Sequence, residues 1–522
     1  MSASDQLKTY IFLFSSLTAI VLTAPLEDLV TSLPGLNFNP SFKHYSGYLD
    51  ATSVNSLHYW FVESERNPAT DPVLLWLNGG PDCSSLFGLF AENGPFQVVD
   101  EGNSVNPNIY SWNKFANVIY LEAPAGVGFS YAKDNSLNRT DDQTADDNYA
   151  ALVVWMNKKF PEYKKNDFYV TGESYASVYI PTLAVRLIND TANFPNFKGI
   201  AIGNGRMHVI YNDNSLIPFL FNHGLIRQGL WDKVSQTCCN GNPYNCDYHS
   251  LFHNLGSQQC NDWVSTEHVS FNGLDPYNMY GHCYLPSGNG YMATILAHRL
   301  KEMGANVKDS PATTYPPLCD QDLEQTSANY LNQPAVRTQL HIPTSLPPWT
   351  TCTDALHYVG NHFDLTDLIN QIADAGVRVL LYSGDADTIC NTVHTSIFTS
   401  KLGRQVLDVD PDSTHTWLYN GEDPNIAGFI TRYSGGVDFL TVRGSGHMVP
   451  KDKPREAQQL IYNFINNRNY STPIDQTAQS NTSQSNPATT TTTSGNRKTA
   501  LISGLLFCAG IIFSAINGWH VV

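Results

Sequence analysis

The stretch Phe168-Tyr-Val-Thr-Gly-Glu-Ser-Tyr-Ala-Ser177 sets a β-prone apolar run directly against a serine with very small neighbours. A strand that ends at Thr171 and turns at once into a helix must fold its backbone back on itself. Only very small residues fit two positions before and after the turning residue, and Gly172 and Ala176 stand there. The turn would present the Ser174 hydroxyl at the strand end; the plainer alternative is a serine that caps a helix N-terminus. Serine is a weak nucleophile unless a base takes its proton and a third group orients that base. The choice therefore depends on residues far along the chain.

Two later strands supply them. After Val377–Tyr382 comes Ser383-Gly-Asp-Ala-Asp387, and after Val437–Val442 comes Arg443-Gly-Ser-Gly-His-Met-Val-Pro450. An acid and a histidine on loops at the ends of late strands, in the order Ser, Asp, His, match the chain order of an α/β-hydrolase triad. Further short apolar runs read as strands: Gly47–Asp50, Leu57–Val62, Val73–Leu77, Asn117–Leu121 and Gly199–Ile202. Between them, Ala145–Lys158 has helical periodicity with Tyr149, Leu152, Val153 and Met156 on one face, and Pro454–Asn466 reads as a closing helix. Strands alternating with helices predict an α/β fold whose mostly parallel sheet is covered on both faces. The strand rhythm lapses over 205–347, where six of the ten cysteines crowd, the pattern of an inserted, disulfide-rich cap.

The rest of the chain narrows the setting. Thirty basic against 47 acidic residues give a net charge of −17, which repels phosphate backbones and excludes nucleic acid as a partner. Residues 1–24 read as a secretory signal peptide: Lys8, then an apolar stretch that ends in small residues before Pro25. Asn138, Asn189, Asn469 and Asn481 head Asn-x-Ser/Thr sequons compatible with that route. Residues 25–471 form the main domain, 472–499 a Thr/Ser-rich disordered stalk, and 500–522 an apolar segment that reads as a membrane span or a removable lipid-anchor signal. Cysteines in an oxidising compartment pair, and adjacent Cys238 and Cys239 have poor zinc spacing, so disulfides rather than a metal site are expected.

These residues resemble the serine carboxypeptidases, cathepsin A-like members in particular. The likeness runs from Ser41 to Asn467. It rests on Trp76-Leu-Asn-Gly-Gly-Pro, Glu92-Asn-Gly-Pro95, Ser111-Trp-Asn113, Pro124-Ala-Gly-Val-Gly-Phe-Ser-Tyr131, Gly172-Glu-Ser-Tyr-Ala, Gly203-Asn-Gly205, Gly384-Asp-x-Asp387 and Gly446-His-Met-Val-Pro-x-Asp-x-Pro454. The resemblance implies Ser174 as nucleophile, His447 as base and Asp387 as orienting acid, with Asp385 left to a strand-end turn. It implies an oxyanion hole from the backbone N–H groups of Gly80 and Tyr175, and a receptor for the substrate's C-terminal carboxylate from Asn78, Gly79, Glu92 and Glu173. Met448 and Cys390 would line the substrate pocket. The implied disulfides are Cys83–Cys352, Cys238–Cys260, Cys239–Cys246 and Cys283–Cys319, leaving Cys390 as a thiol.

The expected activity is hydrolysis of C-terminal peptide bonds with no metal or organic cofactor, in the secretory pathway, as a lysosomal or cell-surface protein tethered at its C-terminus. A homodimer stays open. Two close carboxyls share a proton because like charges raise one pKa, so the Glu92/Glu173 pair predicts activity that is best at acidic pH. Alternatives are an acyltransferase on the same fold and a catalytically weak protective, binding glycoprotein. The second is kept open by Asp82 and Ser177, which stand where the family usually has glycine. Asp82 lies two residues from Gly80; it would be tolerated if position 82 needs a positive φ, and would repel the oxyanion if its carboxylate faces the site.

Overall fold

A computed structural model describes residues 24–265, 274–281, 320–408, 410, 413–421 and 423–474. The described residues fall within one unit, Met1–Gln479. The signal segment before Ala24, the stalk beyond Ile474, the apolar C-terminal segment, Cys283, Cys319, Cys508 and Asn481 lie outside the described residues.

The apolar runs assemble into an eleven-stranded sheet: β1 (His44–Asp50), β2 (Asn55–Val62), β3 (Val73–Leu77), β4 (Asn117–Leu121), β5 (Tyr131–Ala132), β6 (Phe168–Glu173), β7 (Phe197–Gly203), β8 (Arg378–Gly384), β9 (His415–Tyr419), β10 (Asn425–Tyr433) and β11 (Val437–Val442). The spatial order is β1-β2-β4-β3-β6-β7-β8-β11-β10-β9, with β5 beside β2. From β4 to β11 every pairing is parallel. Antiparallel strands flank this centre on both sides.

Strand periodicity of two sends alternate side chains to two cores. Leu75, Leu77, Val170, Ile202, Leu381 and Phe439 pack on one face with α1 (Asp141–Val154), α2 (Ala176–Ile188), Ile369 and Ile372. Leu74, Trp76, Tyr120, Tyr169, Leu380 and Leu440 pack on the other, against Leu460, Ile461 and Phe464 of the helix Pro454–Ile465. Burial on both faces is why these strands read as unbroken apolar runs.

After β7 come α3 (Val209–Asn222), α4 (Gln228–Cys238), α5 (Tyr248–Phe252) and α6 (Gln258–Val264). They share a third apolar cluster that includes Ile217, Trp231, Val234, Tyr248 and Leu251. Disulfides Cys238–Cys260 and Cys239–Cys246 staple it, as small helices with a thin core require. Among the described residues no helix is long and apolar enough to cross a membrane.

Candidate active site

The candidate residues gather at the C-terminal ends of the parallel strands, where an open α/β sheet leaves a crevice. β6 delivers Glu173 and Ser174, and α2 starts two residues later. Ser174 has φ +60°, a left-handed conformation that costs a non-glycine residue roughly 1–2 kcal/mol. The local need for small residues is measurable. A Cβ at Gly172 would lie 2.1 Å from the Leu77 carbonyl oxygen and 3.0 Å from the Ala176 Cβ. The turn is held by the Ser174 N–H donating to the Gly203 carbonyl at 3.0 Å. From Thr171 to Ile180, Ser174 alone is not fully buried.

His447 follows β11 on a loop, and its Nδ1 lies 2.7 Å from Asp387 Oδ2. A carboxylate only accepts, so Nδ1 carries a proton toward Asp387, and in the neutral ring the lone pair sits on Nε2. Nε2 is buried and makes no hydrogen bond among the described residues. Asp387 is wholly buried and takes further donors: Asn204 Nδ2 at 3.0 Å, the Cys390 N–H at 3.1 Å and the Ile389 N–H at 2.7 Å. Asp385 instead accepts from the Gly444 N–H at 2.7 Å and so secures the loop that carries His447.

Three residues that brace His447 were not assigned from sequence. Asp452 accepts from the Gly446 N–H at 2.7 Å, and the Tyr277 carbonyl accepts from the His447 N–H at 2.7 Å, with the two rings 4.9 Å apart. Asn204 joins Asp387 to the Gly384 N–H, which donates to its Oδ1 at 2.9 Å. Asn204 and Asp452 sit inside quoted motifs, so the signal was present without the role. Tyr277 carried no signal.

The loop after β3 lies against the serine turn. A Cβ at Gly79 would stand 2.4 Å from the Tyr175 nitrogen and 2.8 Å from the Ser174 Cβ, so glycine lets the two backbones touch. Gly80 has φ +116°. Tyr175 is anchored by its hydroxyl, which donates to Asp141 at 2.9 Å. Cys83–Cys352 pins the loop, reinforced by the Ser84 N–H to the Thr351 carbonyl at 2.7 Å and the Thr353 N–H to the Asp82 carbonyl at 3.0 Å. Asp82 is buried, and the left-handed φ of this loop falls at Gly80 rather than at Asp82. The expectation that aspartate is tolerated through a positive φ is corrected: the turn is made by Gly80 and Pro81, and residue 82 needs no special backbone. Ser177 is fully buried in the first turn of α2.

Asn78 organises the two glutamates. Its Nδ2 donates to Glu92 at 2.9 Å and to Glu173 at 3.1 Å, while its Oδ1 accepts from Trp76 Nε1 at 2.8 Å and the Gly88 N–H at 3.1 Å. Burial, then the charge of Glu92, holds the Glu173 carboxyl well above the usual carboxylate range. Burial also raises Glu92, against the Asn78 hydrogen bond. The second oxygen of each carboxyl, Glu92 Oε2 and Glu173 Oε2, is buried and makes no hydrogen bond among the described residues.

Met448 and Cys390 are buried on the His447 and Asp387 loops. Asn138, Asn189 and Asn469 are exposed.

A mixed sheet of this order with its site at the parallel strand ends defines an α/β hydrolase. The family model described as serine carboxypeptidase matches residues 34–467, and the chain belongs to that family. Serine carboxypeptidase ctsa-4.1 of Caenorhabditis elegans is 48% identical over 473 residues, 90% of this chain and 99% of the relative. Lysosomal protective protein of Mus musculus is 39% identical over 468 residues, 86% of this chain and 95% of the relative. The solved structure of the Kex1 prohormone-processing carboxypeptidase from Saccharomyces cerevisiae superposes with TM-score 0.66 at 21% identity, over 85% of this chain and 97% of that one.

Proposed function

We propose that the protein is a serine carboxypeptidase that removes residues singly from peptide C-termini through an acyl-enzyme on Ser174. His447 Nε2 takes the Ser174 proton as the hydroxyl attacks the scissile carbonyl, then returns it to the leaving amine. Asp387 keeps the imidazole in that tautomer and stabilises its charged form. The N–H groups of Gly80 and Tyr175, at the positive end of α2, receive the oxyanion. Water then releases the acyl group by the same base, and the chemistry needs no cofactor.

The observation that carries the exopeptidase reading is the buried Glu92/Glu173 pair on Asn78. A carboxyl kept neutral can donate to the substrate's terminal carboxylate, whereas an ionised pair would repel it. Asn78 and Gly79 complete that receptor. Met448 and Cys390 line the pocket for side chains beside the scissile bond. Activity is then highest at acidic pH and falls as the pair ionises.

A fluorophosphonate probe labels wild type and not Ser174→Ala, and wild type frees the last residue of an N-blocked dipeptide while sparing its C-terminal amide. Equal cleavage of acid and amide would remove the carboxypeptidase reading. Transfer of the acyl group to an excess of added alcohol in preference to water would make it an acyltransferase.

The setting belongs to the same proposal. A signal peptide over 1–24 delivers the chain to the secretory pathway and on to a lysosomal or cell-surface location. Asn138, Asn189, Asn469 and Asn481 carry glycans, Cys283 bonds Cys319, and the stalk and apolar segment beyond residue 471 tether the domain to a membrane. Mass and glycosidase sensitivity of the mature protein test these points.

A further inference from the structure

Away from the strand ends, Asp213 of α3 meets His249 and His253 of the α5 turn. Asp213 Oδ2 lies 2.8 Å from His249 Nδ1 and 4.0 Å from His253 Nε2, and the imidazole rings are 4.4 Å apart. One ligand atom from each of the three falls within 4.8 Å of the others. Histidines four apart on a helix share a face, which is how a helix offers two imidazoles to one point. Asp213 is 7% exposed. His253 Nε2 is buried and makes no hydrogen bond among the described residues.

We propose that Asp213, His249 and His253 form a binding site for a zinc-like divalent transition metal. Two imidazoles and one carboxylate suit a borderline-soft ion rather than calcium or magnesium, which take oxygen ligands. Bonds of about 2.0–2.1 Å at tetrahedral angles put ligand atoms about 3.3 Å apart, and the observed 2.8 and 4.0 Å bracket that spacing. The His249 and His253 side chains are 26% and 20% exposed, which gives an ion entry and leaves the fourth position to water.

The platform is preorganised. Cys239–Cys246 and the Asp247 cap, whose carboxylate accepts from the Ser250 N–H at 3.1 Å, fix the start of α5. The His249 N–H donates to Asn214 Oδ1 at 2.8 Å, which docks α5 on α3. A bound ion would lock the two helices together. Asn212, the neighbour of Asp213, donates to the Ile389 carbonyl at 3.2 Å, so the lock would stiffen the support of the Asp387 loop.

The test uses the glycosylated, disulfide-intact protein after chelation, titrated with Zn2+ alone by calorimetry and with Co2+ for the visible absorbance of a tetrahedral site. One equivalent binds to wild type, and His253→Gln and Asp213→Asn each weaken it about tenfold or more, while His341→Gln, which changes an exposed histidine outside the cluster, does not. Zinc raises Tm in wild type and leaves His253→Gln unmoved. Absence of one-equivalent binding to wild type, or equal binding by His253→Gln, overturns the proposal. The readout is metal content, so the carboxypeptidase reading can fail without it. His253→Gln alters a partly exposed side chain and is compared at matched circular dichroism, which keeps the test independent of any folding defect in Asp213→Asn.

Discussion

Two Ser–His–carboxylate sets stand out among the described residues, and only one of them is a continuous hydrogen-bonded chain. In the first, Asp387 Oδ2 aligns His447 through Nδ1 at 2.7 Å, and Nε2, the side left for Ser174, makes no hydrogen bond among the described residues. In the second, Ser46 Oγ lies 2.9 Å from His58 Nε2, and His58 Nδ1 lies 2.8 Å from Glu122 Oε2. The second has the better-formed hydrogen bonds, yet Ser46, His58 and Glu122 are wholly buried. Ser46 also donates to the Leu340 carbonyl at 2.8 Å, and Glu122 further accepts from Trp349 Nε1 at 2.8 Å, the Phe129 N–H at 2.9 Å and the Ser84 hydroxyl. Every polar group there is satisfied by the fold. At Ser174 the serine is only partly buried, and His447 Nε2 makes no hydrogen bond among the described residues. The difference teaches that the constellation alone does not make chemistry. Access and an uncommitted histidine nitrogen separate the Ser174 set from the sealed one.

Substitutions can break this contrast. Ser174→Ala should lower kcat/KM on a blocked dipeptide by about 10^4-fold or more with little change in Tm, while Ser46→Ala should leave kcat/KM unchanged. A large activity loss in Ser46→Ala would undo the distinction. Glu122→Ala should cost about 3–5 kcal/mol in denaturant unfolding, because His58, Trp349 and Ser84 lose a shared buried acceptor. Less than about 1 kcal/mol would mean that water enters and repairs the network.

The glutamate pair sharpens the comparison through pH. Folded-state pKa values raised by burial mean that its contribution to stability is fully present below the ordinary carboxyl range, near pH 4.3, and is lost as pH rises through the folded values. Between pH 4.5 and 8, wild-type Tm and kcat/KM should therefore both decline, and Glu173→Gln should flatten the stability decline. A wild-type kcat/KM that is level across that range would contradict the receptor role. Asp82→Gly should have the smallest effect, less than about threefold on kcat/KM, with a modest stability loss from added backbone freedom. A tenfold gain would show that the carboxylate restrains the reaction.

Some of this was legible in the residues. Val73–Leu77, Asn117–Leu121 and Val437–Val442 appear as strands with the ends that the apolar runs suggest, because parallel strands covered on both faces leave no polar interruption. The edge pair His415–Tyr419 and Asn425–Tyr433 escaped, since apolar Leu418, Ile426 and Phe429 are exposed beside polar Thr416 and Asn425, and a register shift disturbs its alternation. Gly172 and Ala176 announce the serine turn through steric need, which sequence carries directly. The roles of Asn204, Tyr277 and Asp452 are set by contacts between segments far apart in the chain, and no local pattern encodes them. Asp82 misled for a related reason: residue type hinted at a backbone conformation that neighbouring Gly80 adopts instead.

Cys83 and Cys352 are separated by 269 positions. The loop that carries Gly79 and Gly80 thus acquires its covalent anchor only after two-thirds of the chain has been synthesised and oxidised. Closing so long a loop is an entropically slow step, and it lies late in biogenesis. A chain truncated before Cys352 therefore contains the segment of the Ser174 turn but not the covalent anchor of the Gly79–Gly80 loop that packs against it.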